Sequence, residues 1–542
     1  MAELTIFGGA GQIGGNKLLL RDAGTELLFD FGMSFENEGR YFAEFLKPRD
    51  SNSGLHDYFM TGLLPAVNGL YRSDASVGAL EKLGWQQAVR QHGEFEAHPL
   101  AMLLSHAHMD HLGYVGFLDP EVRIVSSALS AVIAKALQDT GQTTLQGESV
   151  YYVERHEVDT PATRLRDLGM SLPRLERPKG KAENVNNLRP WLITDFDAWT
   201  TEAAVFWGTS PNPDVPMLGP APESLRTHVG GLEVRAYPVD HSIMGALAYA
   251  VETSAGWVVY TGDFRMHGKN GHLTRKFAEE VSKLAPIALI CEGTRVHPKP
   301  SPPSTEEIVY EKSRQAVKDS RGLIVADFGP RNVERLVSFL DIAREVDRVL
   351  VVTAKDAYLL EGMASVDGSV PQTENDPNMA VYMDRTGNMG IWQQLVLSRN
   401  RDSLVRWEDI AARPADYLLC FSLYDLPRLL DIEPSEGTYL FSTTEPFNVE
   451  LELDMDRLRS WVTRLNLRLI GDPDLSDDPM HRGFHTGGHA PKEDVFKLIE
   501  MIRPKTLIPV HTEYPELMAE HAATLEIKSV LPSTEHPTVL TL

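Results

Sequence analysis

The stretch SHAHMDHLG, residues 105–113, carries His106, His108, Asp110 and His111 on a loop that directly follows the apolar run LAMLLS at 100–105. Neutral imidazole and carboxylate are donors that zinc accepts, and four of them so close together cannot all be satisfied as ordinary buried polar groups. The competing reading is a polar, solvent-exposed loop. The run before it reads as a strand, and sites tend to gather where strands end.

Three apolar runs downstream end the same way. GLEVRAYPVDHS ends near His241, AGWVVYTGDF near Asp263, and KTLIPVHTEY at His511. A further run, APIALICEGT, ends at Glu292, and the loop HTGGHAPKED carries Thr486, Gly487, Gly488 and His489. A lone His or Asp after a strand is more often a turn residue. Only the multi-histidine loop makes these later positions candidates to complete a metal site. Cysteine offers no alternative, because Cys291 and Cys420 stand far apart with no CxxC partner.

Upstream, ELTIFGG and NKLLLRDAGTELLFDFG read as strands, with DAGT as a hairpin turn. Residues 9–14, GAGQIG, fit a dinucleotide-binding fingerprint, but that motif must open a helix and the segment after it reads as two strands. From about residue 303 the pattern alternates: STEEIVYEKSRQAVKDS, GLIVADF, NVERLVSFLDIAREV and RVLVVTA, then ADYLLCFS. Alternating helix and strand predicts a parallel α/β unit. Residues 141–228 show little periodicity and read as an insertion or elaborate loops.

The whole chain, 542 residues with 42% hydrophobic and 24% charged, is too long for one core and has the profile of a folded globular protein. Lysine and arginine number 52 against 76 aspartates and glutamates, a net charge of −24 that opposes non-specific binding to polyanions. Any nucleic-acid function must then rest on local charge within a cleft. No apolar run approaches the ~20 residues that span a bilayer, and the amino-terminal stretch does not read as a secretion signal, so a cytoplasmic protein without a membrane partner is expected.

The pattern HxHxDH at 106–111 resembles the signature of the metallo-β-lactamase superfamily without departure. That resemblance implies an αββα sandwich and two Zn2+ ions, with Mn2+ or Mg2+ as alternatives, held by His106, His108, Asp110, His111, His241, Asp263 and His511. Asp263 would bridge the two ions, and Asp30 in LLFDFG would support the metal loop from behind. The 511 − 263 = 248 positions between Asp263 and His511 imply an inserted domain, and Glu292, His489 and His511 resemble the three further marks of the β-CASP nucleases. The implied division is residues 1–302 and 466–542 for the hydrolase and 303–465 for the β-CASP domain.

Within that family GGAGQIGGN, DHSIMGALAYAVET, TGDFRMHG and PVHTEYPEL look most like ribonuclease J. The resemblance implies RNA hydrolysis, 5′-to-3′ with endonucleolytic cutting also open, in which Asp110, Glu292 and His489 take part in chemistry and His489 acts as general acid. Ser442, Thr443 and Thr444, with Thr486, Gly487 and Gly488, are candidate phosphate donors. Arg321, Arg331 and Arg335 are candidates to line a nucleic-acid path. Two departures stand out: Gly487 replaces a typical serine, and little chain follows His511 to form that family's last domain. A DNA-directed β-CASP nuclease and a non-catalytic RNA-binding subunit are the rival readings, and a homodimer is left open. Histidine at 511 argues against the DNA reading, because DNA-directed members usually carry an apolar residue there.

Overall fold

A computed structural model shows how these segments assemble. It describes all residues except 44–45, 143, 161–171, 179–183, 300–303, 330, 386–388 and 444–448. An eight-stranded sheet and a seven-stranded sheet stack face to face. The first contains the hairpin Lys17–Asp22 and Thr25–Phe31, whose turn residues Ala23 and Gly24 both have positive φ, 50° and 75°. That is the turn whose twist matches paired strands.

Strand alternation divides the apolar residues between two interfaces. Leu18, Leu20, Leu27 and Phe29 face inward, where they meet Val234, Tyr249, Tyr260, Ile290 and Ile508 of the second sheet. Leu19, Leu28 and Phe31 face outward to the helical layer that includes Ala128–Thr140. On the far side, Gly271–Ser282, Lys492–Ile502 and Pro515–Thr524 cover the second sheet through Phe277, Val495, Leu498 and Met518. Helix, sheet, sheet, helix is the expected αββα sandwich. Both sheets are buried on both faces, which is why their strands read as continuous apolar runs rather than clean alternations.

The predicted parallel unit is a seven-stranded sheet, all strands parallel. Its spatial order is Leu404–Val405, Met379–Tyr382, Val349–Val352, Tyr417–Cys420, Leu323–Asp327, Gly437–Phe441 and Leu467–Ile470. Its edge strand Leu467–Ile470 lies past the division expected after residue 465, because it pairs with Gly437–Phe441 and not with a hydrolase strand.

The aperiodic region 141–228 also has a place. Trp191–Ile193 and Glu223–Ser224 pair in parallel to extend the first sheet beyond Arg123–Ser126. Between them, helix Thr201–Gly208, capped by Thr200, reaches the inserted domain. Phe206 packs on Tyr358 at a ring separation of 5.2 Å, and a Cβ at Gly362 would lie 2.7 Å from its ring. No helix among the described residues is long and apolar enough to cross a membrane.

Candidate metal centre

Strands Gly256–Tyr260, Ala288–Glu292 and Thr506–Val510 are parallel neighbours, so their carboxyl ends lie along one edge of the second sheet. That edge brings Asp263, Glu292 and His511 together. His241, which follows Leu232–Pro238, arrives at the same edge. From the first sheet, Ala101–Leu103 delivers the loop of His106, His108, Asp110 and His111 to face them.

Asp30 fixes that loop. Its carboxylate accepts from Ser105 N at 2.7 Å, Ser105 Oγ at 2.8 Å, His111 Nδ1 at 2.7 Å and Tyr260 OH at 2.6 Å. Asp30 itself is fully buried with φ 52°, a strained conformation for a side-chain-bearing residue that the four donors hold in place. The glycine-rich loop supports the site from outside: Gly15 N donates to Asp110 O at 3.1 Å, while a Cβ on Gly32 would lie 1.6 Å from that same oxygen. GAGQIG is thus packing against the metal loop, and no helix follows it.

Hydrogen bonds to Nδ1 orient the rings of four of these histidines. His111 Nδ1 donates to Asp30, and His241 Nδ1 donates to Gly488 O at 2.6 Å. His106 Nδ1 lies 3.0 Å from Ser105 Oγ, whose own proton goes to Asp30. His511 Nδ1 lies 2.8 Å from Thr294 Oγ1, whose proton goes to Glu292 at 2.7 Å. Each arrangement turns Nε2 inward, the usual way outer partners orient metal-binding imidazoles.

The inward-facing nitrogens converge in two groups. His106 Nε2 and His241 Nε2 lie 3.0 and 3.2 Å from His108 Nδ1. Around Asp263 Oδ2 stand His111 Nε2 at 3.0 Å, His106 Nε2 at 3.6 Å, His511 Nε2 at 3.7 Å and His241 Nε2 at 4.0 Å. Asp110 Oδ2 is 3.1 Å from His511 Nε2, and the buried Asp263 Oδ1 has no hydrogen-bond partner. Electron-pair donors crowded this closely, with an orphaned carboxylate oxygen among them, fit divalent cations and little else. His106, His108 and His241 are ready for such a role. Burial, followed by the neighbouring imidazoles, pushes all three below the ordinary histidine range, His241 to about 3, so they stay neutral.

His489 stands beside this set. Its Nδ1 lies 3.2 Å from both Glu292 oxygens and 3.8 Å from Asp263 Oδ2. Against burial, Glu292 and then Asp263 raise its pKa to about 9. Glu292 is pinned by Phe264 N at 3.0 Å and by both the amide and the hydroxyl of Thr294.

A cleft of about 820 Å³ runs from His108 and His489 to the carboxyl ends of the inserted strands. In open parallel sheets that edge is where ligands bind. Ser442, Thr443, Thr486 and Gly488 all line it, and Thr444 lies outside the described residues. Ser442 Oγ donates to Phe484 O and Thr486 Oγ1 to Ser304 O, so both hydroxyl protons have internal acceptors. The N–H groups of Gly487 and Gly488 have no partner among the described residues. A Cβ on Gly488 would stand 2.4 Å from Ser242 Oγ, so only glycine fits there. Of the three arginines, Arg321 is exposed and absent from the cleft wall, and Arg335 is committed to Glu306 and Ser442. Arg331 lines the cleft with no recorded partner. Thr294, Ser105 and Tyr260 were not singled out from sequence. Thr294 and Tyr260 sit inside motifs quoted for other residues, EGT and YTGD.

The fold is the αββα sandwich of the metallo-β-lactamase superfamily, and this donor set lies at the edge where its two sheets meet. Residues 482–532 match the model of the Zn-dependent metallo-hydrolase RNA specificity domain. Ribonuclease J of Sinorhizobium meliloti is 24% identical over 327 residues, covering 57% of this chain and 50% of that protein. Ribonuclease J 2 of Staphylococcus saprophyticus is 22% identical over 306 residues, covering 54% and 48%. The chain thus spans about half the length of the curated relatives it matches. A crystal structure of a protein of unknown function from Enterococcus faecalis V583 shares the fold over 99% of this chain and 100% of its own, with a TM-score of 0.63 at 19% identity. The likeness to ribonuclease J read from the motifs therefore holds: in sequence this chain resembles the β-CASP metallo-hydrolases.

Proposed function

We propose that this protein is a two-metal ribonuclease that hydrolyses RNA phosphodiesters, working 5′-to-3′ with endonucleolytic cutting as a second mode. The observation that carries the reading is the convergence of seven candidate ligands, four of them imidazoles within 4.0 Å of Asp263 Oδ2, at the floor of a cleft walled by a second domain. Two Zn2+ ions suit the sets His106–His108–His241 and Asp110–His111–Asp263–His511, and Mn2+ or Mg2+ could replace them. Bound there, such ions supply Lewis-acid charge to the phosphate and make water nucleophilic at neutral pH.

The protein's own groups do the rest. His489 holds a proton at the cleft floor and delivers it to the leaving oxygen, with Glu292 orienting the ring and favouring its protonated form. The unpaired amides of Gly487 and Gly488 offer main-chain donors to a 5′-terminal phosphate, in place of the serine hydroxyl typical of ribonuclease J. Their convergence with His489 favours attack next to that end.

End-labelled RNA and DNA of one sequence, assayed side by side, test this. The expected result is release of mononucleotides from the 5′ end of 5′-monophosphorylated RNA, faster than from 5′-hydroxyl or triphosphorylated RNA, with DNA spared. Equal cutting of DNA, or mononucleotides released first from a 3′ label, would refute it.

A further inference from the structure

Arg331 sits on the loop between strand Leu323–Asp327 and helix Val333–Glu345, next to the helix cap Asn332. It lines the cleft together with His108 and His489. Among the described residues its guanidinium has no hydrogen bond or ion pair, and its NH1 is buried without a partner. Arg335, four residues further on, is accounted for differently: it is held by Glu306 at 2.9 and 3.1 Å and by Ser442. Leaving a buried charged donor unpaired costs several kcal/mol by the usual order of magnitude, about 1–3 or more. Such orphans persist where a ligand supplies the missing acceptor.

The surroundings say which acceptor. Arg331 is close enough to the metal loop for Asp110 to act on it and for it to act on His108, yet it forms no ion pair with Asp110. Burial lowers its pKa, but a guanidinium is not deprotonated in proteins, so it is a permanent cation. Five planar donors and a fixed charge match a phosphate better than any other group of a nucleic acid.

We propose that Arg331 is a catalytic residue that binds a non-bridging oxygen of the scissile phosphate and stabilises the charge that builds there as water adds to phosphorus. It neither gains nor loses a proton. Water gives up a proton to solvent and forms the new P–O bond, the bond to the leaving oxygen breaks, and the proton for that oxygen comes from His489, which solvent reprotonates. This assignment rests on the phosphodiesterase reading of the site but not on RNA being the substrate.

The test uses the full-length, metal-loaded protein and its Arg331→Ala and Arg331→Lys variants. Metal content, thermal midpoint, inorganic phosphate affinity by calorimetry, and kcat and KM on both RNA and bis(p-nitrophenyl) phosphate are measured. Removing one preorganised donor should lower kcat by about 10²–10³ on both substrates with KM little changed. Phosphate binding should weaken by about tenfold or more, the size of one charge-assisted contact, and metal content should not change. Guanidinium chloride in the millimolar range should restore part of the activity of R331A, and R331K should recover little, because a point charge does not reproduce the fork.

If kcat and phosphate affinity both stay within about threefold of wild type, the assignment is overturned. So it is if activity falls only together with metal content or thermal stability and guanidinium restores nothing. Hydrolysis of the synthetic diester but not of RNA would defeat the ribonuclease reading alone, leaving Arg331 to be judged on the diester. With neither substrate cleaved, the phosphate affinities decide.

Discussion

At the scale of single residues, the site depends on groups that hold the ligands as much as on the ligands. Replacing His489 with Ala should cut the cleavage rate about a hundredfold or more, the loss expected for a general acid, while bound metal stays constant. Metal analysis beside the rate distinguishes this from a ligand role. Glu292→Gln removes the largest influence that raises His489. A general acid works only while protonated, so activity falls as pH rises through its pKa. In E292Q that alkaline fall should move to lower pH, and an unchanged pH–rate profile would count against the pairing.

A second titration concerns stability. Burial raises Asp327 from the ordinary carboxylate range to about 7, despite the bond from Tyr439 OH. The folded chain then keeps a proton that the unfolded chain releases, so stability falls as pH rises from about 4 to about 7 and is level above. Asp327→Asn should raise the thermal midpoint at pH 8 and give no gain at pH 4. The candidate ligands were legible in sequence because each closes a strand or crowds one loop. Of their partners Asp30 was named through the resemblance, but Tyr260 and Thr294 were not: Tyr260 reaches Asp30 across 230 positions and Thr294 reaches His511 across 217, separations at which no local pattern forms.

Among elements, the inserted sheet was readable because each helix and strand repeats its own period long enough to register. Region 141–228 was not, since its strands Trp191–Ile193 and Glu223–Ser224 are three and two residues long and show no period. Its helix Thr201–Gly208 has tertiary work to do: Trp207 packs on Trp191 and Trp199 of the hydrolase, and Phe206 packs on Tyr358 of the insert. Phe206→Ala should destabilise the protein by about 3–5 kcal/mol, the usual range for emptying such a site. Denaturant unfolding followed by fluorescence would show it, and a change below about 1 kcal/mol would mean the contact does not join the domains.

Taken whole, the molecule is an acidic protein whose proposed substrate is a polyanion, so binding must come from a small number of placed charges and bound cations rather than from its general field. That makes the metal centre the point on which everything turns. The decisive measurement is to strip the protein of metal by chelation, then return Zn2+ or Mn2+ in steps while following bound metal and RNA hydrolysis on the same sample. Activity should be absent from the stripped protein and rise to a plateau near two ions per chain. Full RNA hydrolysis without metal, or a protein that binds less than one ion at saturation, would contradict the account.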